Sequence, residues 1–135
     1  MEILKVLTSK RIVGNIGEKE AARLLKKNGY KILKKNYVAL GHEIDISAKK
    51  DDELVFVEVK TRSIENASDF EARPASAVTQ KKQADIIKTA SYFHKAHGEG
   101  LKVRFDVIEV ILKNNKPHST NHMIAAFNKN TAYRR

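Results

Sequence analysis

The sequence predicts an α/β domain in which helices flank a mixed sheet, with the elements in the order α-β-β-β-α-β. Residues 14–28 and 79–97 carry apolar side chains at helical spacing, and a glycine follows each segment. The segments between and after them alternate apolar and polar residues, as strands do. The 135 residues are expected to form a single domain, 1–135, with a basic N-terminal extension at 1–13 and a basic C-terminal tail at 113–135.

The first helix is expected to span residues 14–28 and to end before Gly29. Its apolar stripe consists of Ala21, Ala22 and Leu25. Glu18 lies on the same stripe, which is unexpected for an acid. Two interpretations stay open: a partly exposed first-turn glutamate favoured by the helix dipole, or a carboxylate directed toward a functional site.

Three strands are expected next, at residues 30–39, 42–48 and 53–61. The first is rich in lysine, which favours a place near a sheet edge. A polar loop over residues 63–76 precedes the second helix.

The second helix is expected to begin at Ala77 or Thr79, to end at His97 and to be stopped by Gly98. Residues 102–112 predict a further strand. The tail carries five lysines and arginines and no acids, and its residues 122–127 are expected to add a last strand or a turn of helix.

The composition indicates a polyanionic partner. Lysine and arginine number 26 against 16 acids, for a formal charge of +10, which favours nucleic acid first and an anionic membrane surface second. Simple solubility is the alternative explanation. The absence of cysteine excludes disulfides, thiolate zinc sites and cysteine nucleophiles. No apolar run reaches transmembrane length and residues 1–13 lack a signal-peptide core, so a cytoplasmic protein without membrane contact is expected.

The most unusual segment is HEIDISAKKDDELVFVEVKTR, residues 42–62, because acids interrupt two otherwise apolar strands. Residues 37–58 hold six acids and two lysines, a local net charge of −4 in a basic chain. If the turn is centred between Asp51 and Asp52, Asp45 lies opposite Glu58, and Glu43 lies opposite Lys60. The same register places Ile44, Ile46 and Ala48 against Val59, Val57 and Val55 on the other face.

Two opposed carboxylates repel each other unless a cation lies between them. Asp45 and Glu58 are therefore predicted to bind Mg²⁺ or Mn²⁺, with positions left for a phosphate oxygen and a water. Lys60, on the face of Glu58, could orient that water or stabilise the transition state, and Glu18 could reach the same place. A solvated E-x-K face is the alternative, but Leu54 and Phe56 share the face and favour burial.

The residues resemble the PD-(D/E)xK nuclease superfamily and, more closely, the YraN family of small bacterial proteins, over most of residues 14–127. The matching pieces are Gly17-Glu18 with Ala21 and Ala22, Gly29-Tyr30, Asn36-Tyr37, Glu43-Ile44-Asp45, Phe56-Val57-Glu58-Val59-Lys60, Ala77-Val78 with Lys82, Arg104-Phe105-Asp106-Val107 and Ala126-Phe127. The resemblance implies a restriction-endonuclease-like αβββαβ core, related to archaeal Holliday-junction resolvases.

The resemblance also implies residue roles. Asp45, Glu58 and the main-chain carbonyl of Val59 would hold a divalent metal, Lys60 would assist the water, and Glu18 would often join the site. The sequence departs from the family at His42, where glycine is usual, and at Val38, where a basic residue is common.

Outside the metal site, Lys82, Arg62 and Arg73 are the residues expected to contact nucleic acid, although a solvated Lys82 is an equal alternative. Arg104 and Asp106 are interpreted as a structural pair. Many nucleases of this fold act as dimers, which makes a homodimer a candidate assembly.

The leading functional hypothesis is a metal-dependent endonuclease that hydrolyses phosphodiester bonds, on branched DNA by analogy with the relatives. The second is a non-catalytic nucleic-acid-binding module on a nuclease fold. The third is a protein-interaction adaptor whose basic tail aids solubility.

Overall fold

The computed structural model describes residues 2–65 and 78–134, with side chains described from Ser9 onward. The elements are α1 (Glu2–Lys27), β1 (Lys31–Ala39), β2 (His42–Lys50), β3 (Glu53–Ser63), α2 (Gln80–His97), β4 (Lys102–Lys113), β5 (Lys116–Phe127) and α3 (Lys129–Ala132). The strands form one sheet in the order β1-β2-β3-β4-β5. β3 and β4 are parallel and the other neighbours are antiparallel, so the predicted mixed sheet is confirmed.

Alternation along the central strands divides the core into two layers. Val55 and Val57 pack with the apolar stripe of α1 on one face of the sheet. Leu54 and Phe56 pack with α2 on the other face. Both sets are at most 1% exposed because β3 lies in the middle of the sheet and is covered on both sides. The α/β class with flanking helices is therefore confirmed, and the arrangement is consistent with a restriction-endonuclease-like core.

The predicted start of the first helix at residue 14 is wrong. Residues 2–13 belong to α1, which begins at Glu2 and continues through Gly14. An isolated glycine inside a helix costs only about 1 kcal/mol relative to alanine, so Gly14 does not have to begin the helix. The last turn of α1 ends as predicted, just before Gly29, whose φ is +88°.

The strand expected at residues 122–127 is present but longer, because residues 116–127 form the edge strand β5. Asn114 and Asn115 both have positive φ, 52° and 59°, as a two-residue type I′ hairpin turn between β4 and β5 requires. Most of β5 is exposed, so it lacks the apolar alternation that would have revealed it.

The second helix confirms its predicted bounds. The side chain of Thr79 caps the helix by accepting a hydrogen bond from the N–H of Lys82 at 3.1 Å. Gly98 forms the C-cap after His97. This cap fixes the first turn of α2, and with it the backbone position of Lys82.

Candidate active site

The strand pair β1–β2 is distorted where the acids lie. Asn36 has a φ of +56°, between the pairs Lys35↔Ile46 and Tyr37↔Ile44. Ile46 packs in the α1 layer, as predicted, but Ile44 packs in the α2 layer. The prediction that both isoleucines share a face is wrong, because the alternation of β2 reverses at the residue between them, which is Asp45.

The predicted register of the β2–β3 hairpin is confirmed over its regular part. Ile46 pairs with Val57 and Ala48 with Val55, as a turn centred between Asp51 and Asp52 requires. The pairing ends at Ile46 and Val57. Beyond that point the carboxylate of Asp45 accepts a hydrogen bond from the backbone N–H of Val59 at 2.8 Å. The acid therefore occupies the end of the ladder, where β2 and β3 separate.

Asp45 and Glu58 lie close enough for the charge of Glu58 to act on the Asp45 carboxyl group, although the strand pairing ends one residue before them. The Glu58 side chain is only 10% exposed. Burial, and next the negative charge of Glu58, raise the pKa of Asp45 to about 7, against the opposing effect of the Val59 N–H. The pair therefore favours sharing a proton or accepting a cation.

Two further acids join the site from α1 and β2. Carboxylate oxygens of Glu18, Glu43 and Asp45 all lie within 4.8 Å of one another. The amide of Asn36 lies 2.5 Å from Glu43 and 3.4 Å from Glu18, so it donates to both. Burial and the charge of Asp45 raise the pKa of Glu18, although the Asn36 hydrogen bond acts in the opposite direction.

Glu43 is the functional candidate that the sequence reasoning missed. The symmetric hairpin register predicted it opposite Lys60, but the strand distortion brings it to Glu18 and Asp45 instead. The available signal was Asn36, since asparagine tolerates positive φ and such a residue inside a strand suggests a break in alternation.

Glu18 reaches the site because α1 lies unusually close to β3. A Cβ added at Gly17 would fall 1.8 Å from the Thr61 side-chain oxygen. Only glycine fits this contact, so the residue before Glu18 sets the distance between helix and sheet. The interpretation of Glu18 as a carboxylate directed at a site agrees with this position, next to Asp45.

Lys82 approaches the site from the α2 face. Its Nζ lies 4.0 Å from Oε2 of Glu58, and its side chain is 42% exposed. Lys60 is partly buried and follows Glu58 by two residues on β3, which directs both side chains to the same face.

The two arginines predicted to contact nucleic acid lie in different surroundings. Arg62 is 13% exposed and its Nη1 lies 3.6 Å from Oε2 of Glu109. The structure thus gives it an internal acid partner, and its contact with nucleic acid stays a prediction. Arg73 lies outside the described residues.

The donor set fits a hard divalent cation. Glu18, Glu43, Asp45 and Glu58 all present carboxylates, the ligands that Mg²⁺ and Mn²⁺ favour. Oxygens that share one Mg²⁺ lie at most about 4 Å apart, so carboxylate oxygens within 4.8 Å of one another need only a small side-chain shift to share the ion. The N–H and C=O of a strand residue point to the same side, so the carbonyl of Val59 also faces Asp45.

A second polar cluster serves the fold. Asp106 is fully buried and accepts hydrogen bonds from Arg104, from His122 at 2.7 Å and from the N–H of Ala125 at 2.9 Å. Ala125 has a φ of +53° at an irregularity in the β4–β5 ladder, which directs its N–H to Asp106. The predicted pairing of Arg104 with Asp106 is confirmed.

A basic groove adjoins the acidic cluster. Its lining includes Lys19, Arg23 and Lys26 on α1 and Lys35 on β1, together with Glu20, which pairs with Arg23. Lys19 follows Glu18 in sequence and Lys35 precedes Asn36, so two lining residues are chain neighbours of the cluster. Opposite charges therefore lie side by side on this part of the surface.

None of the helices in the described ranges is long and apolar enough to cross a membrane.

Comparison with known proteins gives a consistent result. The profile of the family described as "Uncharacterised protein family UPF0102" matches residues 17–110. A UPF0102 protein of Caldanaerobacter subterraneus subsp. tengcongensis is 42% identical over 122 residues, which cover 88% of this chain and 97% of the relative. A UPF0102 protein of Clostridioides difficile is 44% identical over 115 residues, covering 84% and 95% of the two chains. One from Chloroherpeton thalassium is 43% identical over 109 residues, covering 80% and 81%.

Proposed function

The chain belongs to the uncharacterised protein family UPF0102, the YraN family, and we propose that it is a metal-dependent endonuclease that hydrolyses phosphodiester bonds in DNA. The observation that carries the proposal is the cluster of Glu18, Glu43 and Asp45 carboxylates at the open end of the β2–β3 ladder, where the charge of Glu58 also acts on Asp45. Acids concentrated at one point of a strongly basic chain need a compensating ligand.

Asp45, Glu58 and the main-chain carbonyl of Val59 would hold Mg²⁺ or Mn²⁺, with Glu18 and Glu43 as neighbouring ligands. The bound cation would supply a Lewis acid that neutralises phosphate charge and lowers the pKa of a water. The Val59 N–H fixes one oxygen of Asp45, which orients the carboxylate before any ligand arrives.

The lysines supply positive charge from the α2 side. Lys60 would orient the attacking water or stabilise the negative charge that develops on the phosphate. Lys82 holds the carboxylate of Glu58 at 4.0 Å and is exposed enough to approach a phosphate as well. Its position supports a role within the site over that of a lysine on a distant solvated face.

The basic groove supports a polyanionic substrate. Lys19, Arg23, Lys26 and Lys35 could hold the backbone of a nucleic-acid strand whose next phosphate lies at the acidic cluster. Without such a surface, the net negative charge of the cluster would repel the substrate.

The test is cleavage of fluorescent duplex, single-stranded and four-way-junction DNA, with an RNA strand for comparison, in the presence of Mg²⁺ or Mn²⁺. We expect the wild type to cleave. Asp45→Asn and Glu58→Gln should each lower the cleavage rate at least about 100-fold, because the loss of a residue that only supports a metal ligand already lowers activity by up to about that factor. Asp52→Asn, an exposed acid in the hairpin turn, is the matched control.

Wild-type protein that binds DNA and never cuts it would overturn the nuclease proposal in favour of the non-catalytic binding module. Cleavage that is unchanged in Asp45→Asn and Glu58→Gln would place the chemistry elsewhere.

A further inference from the structure

The hairpin of β1 and β2 carries two exposed apolar side chains. Val38, near the end of β1, is 61% exposed, and Leu40, in the two-residue turn, is 58% exposed. Single exposed apolar residues are common on protein surfaces and need no explanation. Here two lie close together at one end of a hairpin.

Leu40 is held in an unfavourable backbone conformation. Its φ is +56°, in the left-handed region that glycine and asparagine adopt far more readily than leucine. Gly41, with a φ of +74°, follows it directly. A two-residue turn between Ala39 and His42 requires positive φ at both positions, but glycine or asparagine would satisfy it with less strain than an exposed leucine.

The turn is braced against α2. The Thr89 hydroxyl, which donates to the Asp85 carbonyl at 2.8 Å, lies 3.5 Å from the carbonyl oxygen of Ala39, and His42 lies 3.6 Å from Asp85. On the preceding strand, the ring of Tyr37 packs edge-on against Phe93. These contacts hold the backbone of the turn while Val38 and Leu40 stay exposed.

The turn lies beside the acidic cluster. Val38 pairs directly with Glu43, and the carboxylate of Glu43 belongs to the cluster with Glu18 and Asp45. Leu40 follows Val38 by two residues, so it lies within about 7 Å of it along the chain. A nucleic-acid strand whose phosphate lies at the cluster would therefore place its nearest bases within reach of the turn.

We propose that Val38 and Leu40 form an apolar wedge that contacts and unstacks a base step beside the scissile phosphate, so that the protein prefers DNA whose stacking is already broken. The proposal rests on the proposed nuclease function of the adjacent site. Apolar side chains, leucine among them, insert between base steps in proteins that kink DNA. Unstacking costs a few kcal/mol in intact duplex and least at a mismatched base, which produces the preference.

The first experiment measures unstacking without cleavage. Duplexes carry 2-aminopurine either at a mismatch or in a fully paired context, and each is titrated with protein in Ca²⁺ buffer while fluorescence and anisotropy are recorded. For the wild type we expect a fluorescence increase on the mismatched duplex that is much larger than on the paired one.

The variants are chosen to keep the fold. Leu40→Asn removes the apolar group and suits the positive φ, so its thermal stability should equal or exceed that of the wild type. Val38→Thr keeps the β-branched shape. Ile124→Thr, an apolar residue that is 59% exposed on β5, is the matched control.

We expect Leu40→Asn, alone and together with Val38→Thr, to lose the fluorescence increase. The ratio of the affinities for mismatched and paired DNA should fall about tenfold, while the affinity for the paired duplex stays near that of the wild type. Ile124→Thr should match the wild type. A wild-type fluorescence increase and affinity ratio in the folded double variant would overturn the wedge, as would an absence of any DNA binding by the wild type.

A cleavage assay separates the two proposals. If Asp45→Asn abolishes cutting while the double variant keeps the wild-type mismatch preference, the wedge is wrong and the nuclease proposal stands. If the wild type never cuts but the fluorescence signal depends on Leu40, the nuclease proposal fails and the wedge stands as a binding device.

Discussion

The backbone N–H of Val59 donates to the carboxylate of Asp45 across the point where the β2–β3 pairing ends. The Asp45 side chain therefore accepts the hydrogen bond that the backbone of β2 would accept if the two strands were still paired, so the N–H of Val59 is not left without a partner. The same bond keeps Asp45 beside Glu58 despite their mutual repulsion. One interaction thus serves both the sheet and the proposed metal site.

The raised pKa of Asp45 predicts an unusual dependence of stability on pH. The ordinary aspartate value is 3.8 and the folded value is about 7. Between these values the folded chain keeps a proton that the unfolded chain has released, so the free energy of unfolding from this group is highest below pH 4 and falls as the pH rises through 7.

Asp45→Asn should remove that decrease. At pH 8 without metal, we expect the variant to be about 2 kcal/mol more stable than the wild type. This is about half of what the full pKa shift would give, because Asp45 still contacts solvent. At pH 3.5 the two proteins should be equally stable. Urea unfolding at the two pH values measures this. Equal differences at both would show that Asp45 titrates normally in the folded chain.

Gly17→Ala should separate α1 from β3. Its new methyl group would collide with Thr61, so we expect a loss of about 1–3 kcal/mol in stability together with weaker Mn²⁺ binding, because Glu18 moves with the helix. The double variant Gly17→Ala, Thr61→Ala should recover much of both. Gly14→Ala, where a Cβ meets nothing within 4 Å, is the control. Normal Mn²⁺ binding in a destabilised Gly17→Ala protein would separate Glu18 from the metal.

Lys82→Gln should reduce cleavage about tenfold and move the acid limb of the pH–rate profile to higher pH, because the acid pair loses a nearby positive charge. Lys81→Gln removes a neighbouring lysine that is 84% exposed and pairs with Asp85, and it should cleave like the wild type. If the two variants lose activity equally and the pH profile does not move, Lys82 acts only through general attraction of nucleic acid.

Asp106→Asn should affect stability without affecting chemistry. Burial acts to raise the pKa of Asp106, but the hydrogen bonds from His122, Arg104 and Ala125 outweigh it and hold the pKa below its usual value. The stability of this group is therefore present above pH 4 and lost as the pH falls through the folded pKa.

The variant removes the buried charge that pairs with Arg104, which keeps only Glu53 and the Tyr30 hydroxyl as partners, so we expect a loss of about 3 kcal/mol at pH 7. Denaturation at pH 7 tests the loss, and cleavage by the folded fraction should stay within about twofold of the wild type. A large fall in the cleavage rate of folded Asp106→Asn would give this aspartate a part in the reaction.

The sequence predicted the features that depend on strong local patterns. Alternation set the register of Ile46 and Val57, and the glycine after His97 set the end of α2. The same alternation predicted Asp45 and Glu58 as neighbours. Two apolar strands around an acidic turn have only one register that buries the apolar side chains of both strands on the same face.

The remaining features depend on contacts between distant segments. The reversal of alternation between Ile44 and Ile46 follows from the left-handed Asn36 on another strand, and it brings in Glu43. The edge strand β5 is mostly exposed, so pairing with β4 defines it without an apolar pattern of its own. The departure at Val38, where a basic residue is common in the family, gains significance because Val38 pairs with Glu43 of the acidic cluster.

The most direct test of the account is the anomalous scattering of Mn²⁺ soaked into crystals of the wild type and of Asp45→Asn. We predict a peak in the wild type within bonding distance of the Asp45 and Glu58 carboxylates and the Val59 carbonyl oxygen, and its loss in the variant. A Mn²⁺ peak that lies away from Asp45 and Glu58, or that persists unchanged in Asp45→Asn, would contradict the metal site and the function built on it.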